Sequence, residues 1–149
     1  MPGDPTRWAE LSGPAIADLL AGDPRHVALV PVGATEQHGP HLPTGTDTII
    51  ATALADRVSA ATGALVLPAI AVGVSEWHGT ALAGTFAATP EAFLATVDAV
   101  CGWARASGVR RLLFVNGHVG NTAALSIALD RVRNGRRWRR SPGRPGRWR

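Results

Sequence analysis

The sequence contains no lysine and no tyrosine, and its 149 residues include a single cysteine, Cys101. One cysteine excludes an intrachain disulfide framework and indicates a reduced, intracellular environment. The N-terminal residues lack the apolar stretch of a secretory signal, and no apolar run reaches the ~18 residues that a membrane span requires. We therefore expect a soluble, cytoplasmic protein that has no membrane partner.

Charge is distributed unevenly along the chain. Residues 1–130 hold six arginines and all eleven acidic residues, a net charge of −5, whereas residues 131–149 hold nine arginines and no acid, a net charge of +9. The overall charge of +4 therefore describes neither part. We divide the chain into one domain at 1–133 and an Arg-rich tail at 134–149, whose composition cannot build a core and predicts disorder.

The tail has two interpretations. Its Arg and Trp side chains could bind RNA or another anionic surface through charge and stacking. Arg, Gly, Pro, Ser and Trp are also what GC-rich DNA encodes when it is read out of frame, and we favour this second interpretation, a truncated or frameshifted product. Nucleic acid is therefore not the partner we expect.

Strand and helix signals alternate along residues 1–133. Short apolar runs predict strands at 26–32, 65–72 and 111–115, and periodic or capped segments predict helices at 12–22, 47–61, 90–107 and 122–132. Pro68 predicts that the second strand ends early or lies at a sheet edge. This alternation predicts an α/β fold in which helices cover both faces of a mostly parallel sheet, with ligands at the carboxyl ends of the strands.

The first polar segment, T-E-Q-H-G-P-H-L-P-T-G-T-D at 35–47, directly follows a predicted strand. Glu36 and His38 are two residues apart, so an extended chain would point them to opposite sides, toward two neighbouring metals, with Asp47 between. Carboxylates and imidazoles suit Zn, Mn and similar ions. The alternative is that Asp47 or Thr46 only caps a helix and the histidines are solvated. We assign His41 a structural or supporting role.

Two further segments carry chemistry. N-G-H-V-G-N at 116–121 places His118 at the carboxyl end of the third strand, although a glycine-rich connector with an exposed histidine would look the same. In the middle loop, Ser75, Glu76 and Trp77 could line a substrate pocket, with His78 as a proton shuttle or hydrogen-bond donor. The alternative is that Trp77 fills a hydrophobic gap.

Together, the segment Val30–Asp47, the segment Phe114–Asn121 and the intervening Gly84-Thr85 resemble the creatininase family of metal-dependent amidohydrolases. That family includes creatinine amidohydrolases and the peptidase of mycofactocin maturation. The resemblance extends from about residue 8 to residue 133. It implies an αβα sandwich, two divalent ions (Zn, Mn or Fe) and hydrolysis of a cyclic or otherwise non-standard C–N amide bond by a metal-activated water.

The resemblance also implies roles for individual residues. Glu36 and His118 would bind one metal, His38 the other, and Asp47 would bridge the two. His78 would be catalytic. The residues that would contact a small-molecule amide or modified-peptide substrate are Ser75, Glu76, Trp77, Asn116 and Gly117.

The chain departs from the family pattern in its second-metal ligands. Creatinine-hydrolysing members carry a Glu where this chain has Gly120, and other members take that carboxylate from a later segment that has no counterpart here. The second metal would then have only His38 and Asp47, fewer than the three or four usual ligands, so we expect it to bind weakly. A domain that is incomplete at its C-terminus is also expected to form homo-oligomers. The alternative function is an impaired family member or an interaction protein.

Overall fold

The computed structural model describes residues 3–23, 25–78 and 82–134. Within these residues the chain forms four strands, β1 (Thr6–Arg7), β2 (Val27–Val32), β3 (Leu65–Val66) and β4 (Arg111–Asn116). They alternate with four helices, α1 (Gly13–Gly22), α2 (Thr46–Thr62), α3 (Pro90–Ala106) and α4 (Thr122–Arg133). Three short 3-10 turns lie at Trp8–Glu10, Glu76–His78 and Val119–Asn121.

The four strands form one parallel sheet in the order β1-β3-β2-β4. β2 and β4 pair along their whole length, from Val27 opposite Arg111 to Val32 opposite Asn116. The loops that follow these two strands therefore leave the sheet at the same edge. The first polar segment and the segment 116–121 are thereby brought side by side.

The second predicted strand differs from the structure. Regular pairing is confined to Leu65–Val66, after which the Leu67 and Ile70 amides still donate to carbonyls of β2 at 2.9 Å. Pro68 has no N–H to continue the ladder, so the predicted early end is confirmed. The alternative, an edge position, is wrong because β3 lies between β1 and β2. The sequence did not predict β1, because two residues show no periodicity.

Helices cover both faces of the sheet. On one face, Ala55 of α2 packs against Leu29 and Val66. On the other face, Phe93 and Val97 of α3 belong to a larger cluster with residues of β2 and α4 and with side chains of α1. The predicted αβα layering is therefore confirmed. Among the described residues, none of the helices has the length and apolar character needed to cross a bilayer.

Local signals account for the helix boundaries. Ser12 and Thr89 accept hydrogen bonds at the starts of α1 and α3, from the amides of Ala15 and Ala92, as residues at N-caps commonly do. Gly63 ends α2 with a positive φ of 75°, a backbone conformation that glycine adopts without strain. Because α2 begins at Thr46, Asp47 lies in its first turn beside the carboxyl end of β2.

Candidate metal centre

Glu36, Asp47 and His118 meet at the carboxyl edge of the sheet. His118 Nδ1 lies 2.9 Å from Asp47 Oδ2 and 3.5 Å from Glu36 Oε1. One ligand atom from each of the three side chains lies within 4.8 Å of the other two. All three residues are buried. Three convergent nitrogen and oxygen donors are the ligand set of a catalytic divalent metal site.

His38 approaches the same carboxylates from another side. Its Nε2 lies 3.2 Å from Asp47 Oδ1 and 4.0 Å from Glu36 Oε1. Asp47 therefore turns one oxygen toward His38 and the other toward His118. The expectation that Glu36 and His38 point to opposite sides is wrong. The His38 ring turns back along the chain, so that its Nδ1 lies 3.0 Å from the Glu36 backbone oxygen and its Nε2 faces the same carboxylates.

That contact also affects the acidity of His38. The hydrogen bond to the Glu36 carbonyl is the main cause that raises the pKa of the imidazole above its ordinary value. Partial burial acts in the opposite direction, and the nearby carboxylates of Asp47 and Glu36 raise the pKa further.

The capping alternative for Asp47 and Thr46 does not describe α2. The helix has Gly45 at its N-cap, without a side-chain capping bond. The Thr46 hydroxyl donates to the Pro43 carbonyl at 2.6 Å. Asp47 instead turns its carboxylate to the two histidines. The alternative in which residues 116–121 form a glycine-rich connector with an exposed histidine is also wrong, because the His118 side chain is only 3% exposed.

Both ring nitrogens of His118 face oxygen atoms. Its Nε2 lies 3.1 Å from the Val74 carbonyl oxygen and 3.2 Å from Ser75 Oγ, and its Nδ1 faces Asp47 Oδ2 and Glu36 Oε1. A cation bound at Nδ1 would be stabilised by the two carboxylates, and the Nε2–H would then donate to the Val74 carbonyl.

Unpaired buried atoms provide the test of whether a cation fits. Among the described residues, four buried side-chain atoms lack a hydrogen-bond partner, and three of them, Glu36 Oε2, Asp47 Oδ2 and His78 Nδ1, belong to this cluster. Each unpaired buried polar group costs about 1–3 kcal/mol. A divalent ion would satisfy the carboxylate oxygens, so the residues present fit a metal.

The turn Glu76–His78 borders the cluster. His78 Nδ1 lies 3.5 Å from Glu36 Oε2, and its side chain is almost fully buried. Trp77 stacks at a tilt on His78, with ring centroids 3.8 Å apart, yet it is 71% exposed. That exposure argues against the alternative in which Trp77 fills a hydrophobic gap. Glu76 is exposed beside it.

Three of the predicted substrate-contacting residues make their contacts within the protein. Ser75 is fully buried behind His118, so the structure does not support its predicted substrate contact. The Asn116 side chain donates to the His118 carbonyl at 2.9 Å and accepts from the His118 amide at 3.3 Å. A Cβ at Gly117 would overlap the Asp47 carbonyl oxygen, so the loop packs directly on α2.

Asn121 is a residue whose contribution sequence reasoning missed. Its side chain is fully buried and forms hydrogen bonds with Val74 in the middle loop, Gly33 in the loop after β2 and Asn116 at the end of β4. The available signal was its position as the last residue of N-G-H-V-G-N, where a helix begins. Val74 and Gly33 are distant from it in sequence, and the pairing of β2 with β4 brings the loop after β2 close to it.

The fold and the cluster define a parallel α/β protein with a carboxylate–histidine centre at the carboxyl ends of its strands. The chain belongs to the creatininase family, since the sequence profile described as creatinine amidohydrolase matches residues 9–143. The resemblance inferred from the motifs is thereby confirmed. The match continues past the predicted boundary at 133 into the Arg-rich tail, which lies outside the described residues apart from Asn134.

Similar proteins include enzymes from this family. The chain is 42% identical over 134 residues to the mycofactocin precursor peptide peptidase of Mycobacterium tuberculosis, covering 83% of this chain and 52% of the peptidase. A solved structure described as creatininase with Mn matches with a TM-score of 0.77 at 28% identity, over 90% of this chain and 55% of that one. A mutant creatininase of Zn–Zn type matches with a TM-score of 0.73 at 30% identity, over 89% and 54%. The chain thus spans about half the length of the relatives it matches.

Proposed function

We propose that this chain supplies the metal centre of a hydrolase that cleaves a cyclic or otherwise non-standard C–N amide bond. The observation that carries the proposal is the buried convergence of Glu36, Asp47 and His118, with His118 Nδ1 2.9 Å from Asp47 Oδ2 and 3.5 Å from Glu36 Oε1. Substrates of this class are supported by relatives described as creatinine amidohydrolase and as a precursor peptide peptidase. A small-molecule amide or a modified peptide is therefore the substrate we propose.

Two ions would be bound by different numbers of ligands. Glu36, Asp47 and His118 would bind one, and His38 with the second oxygen of Asp47 would bind the other. The donor set suits Zn, Mn or Fe, and creatininases described with Mn and with Zn–Zn support the first two. When bound, such ions lower the pKa of a coordinated water and polarise the substrate carbonyl.

The turn Glu76–His78 would contact the substrate and exchange a proton with it. His78 lies between the buried Glu36 carboxylate and the exposed Trp77, a place from which its imidazole can exchange a proton with a reacting group. Trp77 and Glu76 are accessible to a substrate and would contact it. Asn116 and Gly117 would shape the opposite wall through the loop that carries His118.

The test is metal content. Purified protein is supplemented separately with Zn, Mn or Fe, freed of excess ion and analysed by elemental mass spectrometry. We expect about one retained ion per chain, held by the three-ligand set, and its loss in His118→Gln. His41→Gln is the matched control, because His41 is an exposed histidine in the same loop as His38 and should leave metal content unchanged. Wild-type protein that retains no ion would overturn the proposal.

A second candidate function is metal binding without catalysis. The family resemblance implies a second-metal Glu at the position of Gly120, and the chain spans about half the length of the relatives it matches. This candidate is separated from the first by assaying the metal-loaded protein against cyclic amides, formamides and short peptides. Hydrolysis that disappears in His78→Gln supports the enzyme, and full metal occupancy without hydrolysis of any of these supports the second candidate.

We also propose that the chain forms homo-oligomers. Trp103 on α3 is 75% exposed, next to an apolar cavity of about 540 Å³ that Trp8, Leu67 and Val100 help to line. Exposed apolar surface of this kind is typical of interaction sites. Sedimentation velocity should show dimers or larger species that Trp103→Arg dissociates. Trp77→Arg, at an equally exposed tryptophan elsewhere, is the control and should leave the assembly unchanged.

The remaining proposals concern location and other partners. The single buried cysteine supports a reduced compartment such as the cytoplasm. The Arg-rich tail would carry any nucleic-acid binding, and deletion of residues 134–149 tests this. We expect nucleic-acid affinity to be negligible at physiological salt with or without the tail.

A further inference from the structure

The two edges of the sheet, β1 and β4, differ in how they are protected. β1 is two residues long and is joined to α2, because the Thr6 amide donates to Ser59 Oγ and Arg7 pairs with Asp56, each at 2.8 Å. β4 is six residues long, and after Arg111 it continues as Leu-Leu-Phe-Val without a charge or a proline. Natural edge strands are usually protected by charge, proline or short length. β4 therefore has the sequence of an interior strand, although it lies at the edge of the described sheet.

The main chain of β4 points alternately toward β2 and away from it. The Gly117 amide donates to the Val32 carbonyl at 2.8 Å, so the odd-numbered residues of β4 turn their N–H and C=O groups to β2. The N–H and C=O groups of Leu112 and Phe114 then point outward, where the described part of the chain places no further strand. These groups are available to an added strand.

A groove follows β4 on the sheet face that α3 and α4 cover. It is a cavity of about 640 Å³, and its apolar lining includes Leu112 and Phe114 of β4 with Leu125, Leu129 and Val132 of α4. Apolar surface that is open to solvent in this way is typical of an interaction site. The groove therefore offers a binding surface directly beside the outward-pointing main chain.

The opposite face of β4 is also apolar. Leu113 lies on the same side of the sheet as Val115, which packs, like Val58 of α2, against the cluster that contains Ala55. Leu113 is 53% exposed, and so is Leu54, one turn before Val58 on α2. A strand added to β4 would therefore have apolar side chains on both faces, the environment of an interior strand in a parallel sheet.

Arginines gather at the amino end of β4. The groove is lined there by Arg105 in the last turn of α3, Arg110 directly before β4 and Arg133 in the last turn of α4, and its described lining contains no acidic residue. Arg133 lies 4.0 Å from Asp130, and both side chains are at least 70% exposed, so water screens that pair. Cations at one end of an apolar groove favour an occupant that carries carboxylates at that end.

Neither the tail of this chain nor a second copy supplies such carboxylates. Residues 134–149 contain seven arginines and no acid. Two copies joined through antiparallel β4 strands would place Arg110 of each copy beside the carboxyl end of the other strand, which ends at the uncharged Asn116. The charge of the groove therefore favours a different polypeptide.

We propose that the free edge of β4 and its groove bind an extended segment of a different polypeptide. The segment is largely apolar, carries carboxylates at the end that meets the arginines, and adds to the sheet as a further strand. The metal ligands Glu36, Asp47 and His118 do not line the groove. The proposal therefore does not depend on the proposed function and can fail or succeed separately from it.

Binding is measured on the full chain with peptides whose termini are blocked. The probes are E-E-V-T-V-T-V and its reverse, V-T-V-T-V-E-E, and the matched controls carry lysine in place of glutamate. We expect one acidic probe to bind saturably and about tenfold tighter than its lysine counterpart, and the double variant Arg110→Glu, Arg133→Glu should lose that preference. The proposal is overturned if neither acidic probe binds saturably below about 1 mM, or if acidic and basic probes bind equally.

Amide hydrogen exchange of 15N-labelled protein tests strand addition itself. In the free chain, the amides of Leu113 and Val115 should exchange slowly because they donate to β2, and those of Leu112 and Phe114 should exchange fast. The bound acidic probe should slow exchange at Leu112 and Phe114 by about tenfold or more and leave the other two unchanged. Binding without this alternating protection contradicts strand addition. Slow exchange at Leu112 and Phe114 in the free monomer also contradicts the proposal, because the chain would then cover its own edge.

Leu113→Lys places a charge on the free edge, as natural edge strands often do. We expect it to weaken binding of the acidic probe by about tenfold, although it adds a positive charge, because the lysine would be buried under the added strand. Ile127→Lys is the matched control, since Ile127 is 49% exposed on α4 and does not line the groove. Equal affinity in the two variants would contradict the proposal.

Sedimentation velocity distinguishes a second copy as the occupant. Trp103→Arg and the double variant Trp103→Arg, Leu113→Lys are compared, because the first removes the other surface proposed for self-association. We expect both to sediment as monomers. Dimers that persist in Trp103→Arg and dissociate when Leu113→Lys is added would assign the β4 edge to a second copy and overturn the proposal.

Discussion

The two halves of the carboxylate–histidine cluster differ in burial and in ligand number. The half around His118 is closed: that side chain is 3% exposed, its Nε2 is bound by Val74, and Nδ1 faces both Glu36 and Asp47. The half around His38 is more open: the side chain is 20% exposed, and its Nε2 lies 3.2 Å from the carboxylate of Asp47 and 4.0 Å from that of Glu36. Both halves share Asp47.

This difference concerns the metal ligands that the described residues supply to each half. The ligands of the closed half lie in the loop after β2, the first turn of α2 and the loop after β4, all of which are within the described residues. In the open half, His38 Nε2 lies farther from both carboxylates than His118 Nδ1 does, at 3.2 Å from Asp47 Oδ1 and 4.0 Å from Glu36 Oε1. We therefore expect one tight and one weak metal site.

The largest effect is expected from Asp47→Asn. Because Asp47 serves both halves, the substitution should weaken both sites, by more than the roughly 100-fold that marks the upper range for losing an orienting group. Isothermal titration with Zn provides the measurement. Asp56→Asn is the control, since Asp56 lies in the same helix, pairs with Arg7 at 2.8 Å and is remote from the cluster. Equal affinity in the two variants would contradict a bridging role.

A direct comparison of the halves comes from His118→Gln and His38→Gln. The first should abolish the tight site, and the second should leave it within about tenfold of wild type, because Glu36, Asp47 and His118 remain as three ligands. The number of Zn ions bound per chain and their affinity, both measured by isothermal titration, distinguish the two variants. Equal losses in the two variants would show that the halves are not separate sites.

The fold could be predicted largely from local signals, but the site only in part. Apolar runs and the caps at Ser12 and Thr89 predict most elements, whereas β1 is too short to carry a pattern. The polar motifs indicate which side chains gather at the strand ends. The convergence of Glu36 with His38 depends on the orientation of the His38 ring, which lies against the Glu36 carbonyl, and residue spacing does not reveal that orientation.

The hydrogen bonds around the cluster were the least predictable part. Asn121 binds Gly33 across 88 residues of sequence, and Ser75 binds His118 across 43. Such contacts are fixed by the register of β2 on β4 and by the path of the middle loop. A motif shows that these residues are polar and near a turn, and only the assembled sheet shows that they support an imidazole.

A further variant is Gly120→Glu, which introduces the carboxylate that the family resemblance implies for creatinine-hydrolysing members. We expect no gain of a second tight metal, because the Cβ alone would overlap His118 Nε2 and the Val74 carbonyl oxygen. The overlap should cost about 1–3 kcal/mol of unfolding free energy, measured by urea denaturation. Gly120→Ala, with the same overlap and no carboxylate, is the matched control. A second tight site in Gly120→Glu alone would show that the loop can rearrange.

The smallest effect on metal binding is expected from Cys101→Ala. Thiolates bind Zn tightly, so an unrelated cysteine site could imitate the closed half in an elemental analysis. Burial, aided by the nearby Asp98 carboxylate, raises the pKa of the Cys101 thiol to about 11, so the thiolate form that binds metals is scarce at neutral pH. The variant should therefore keep its metal content and lose about 1 kcal/mol of stability from the core. Native protein should also resist iodoacetamide until it unfolds. A fall in bound Zn would instead assign part of the metal to this thiol and weaken the contrast between the two halves.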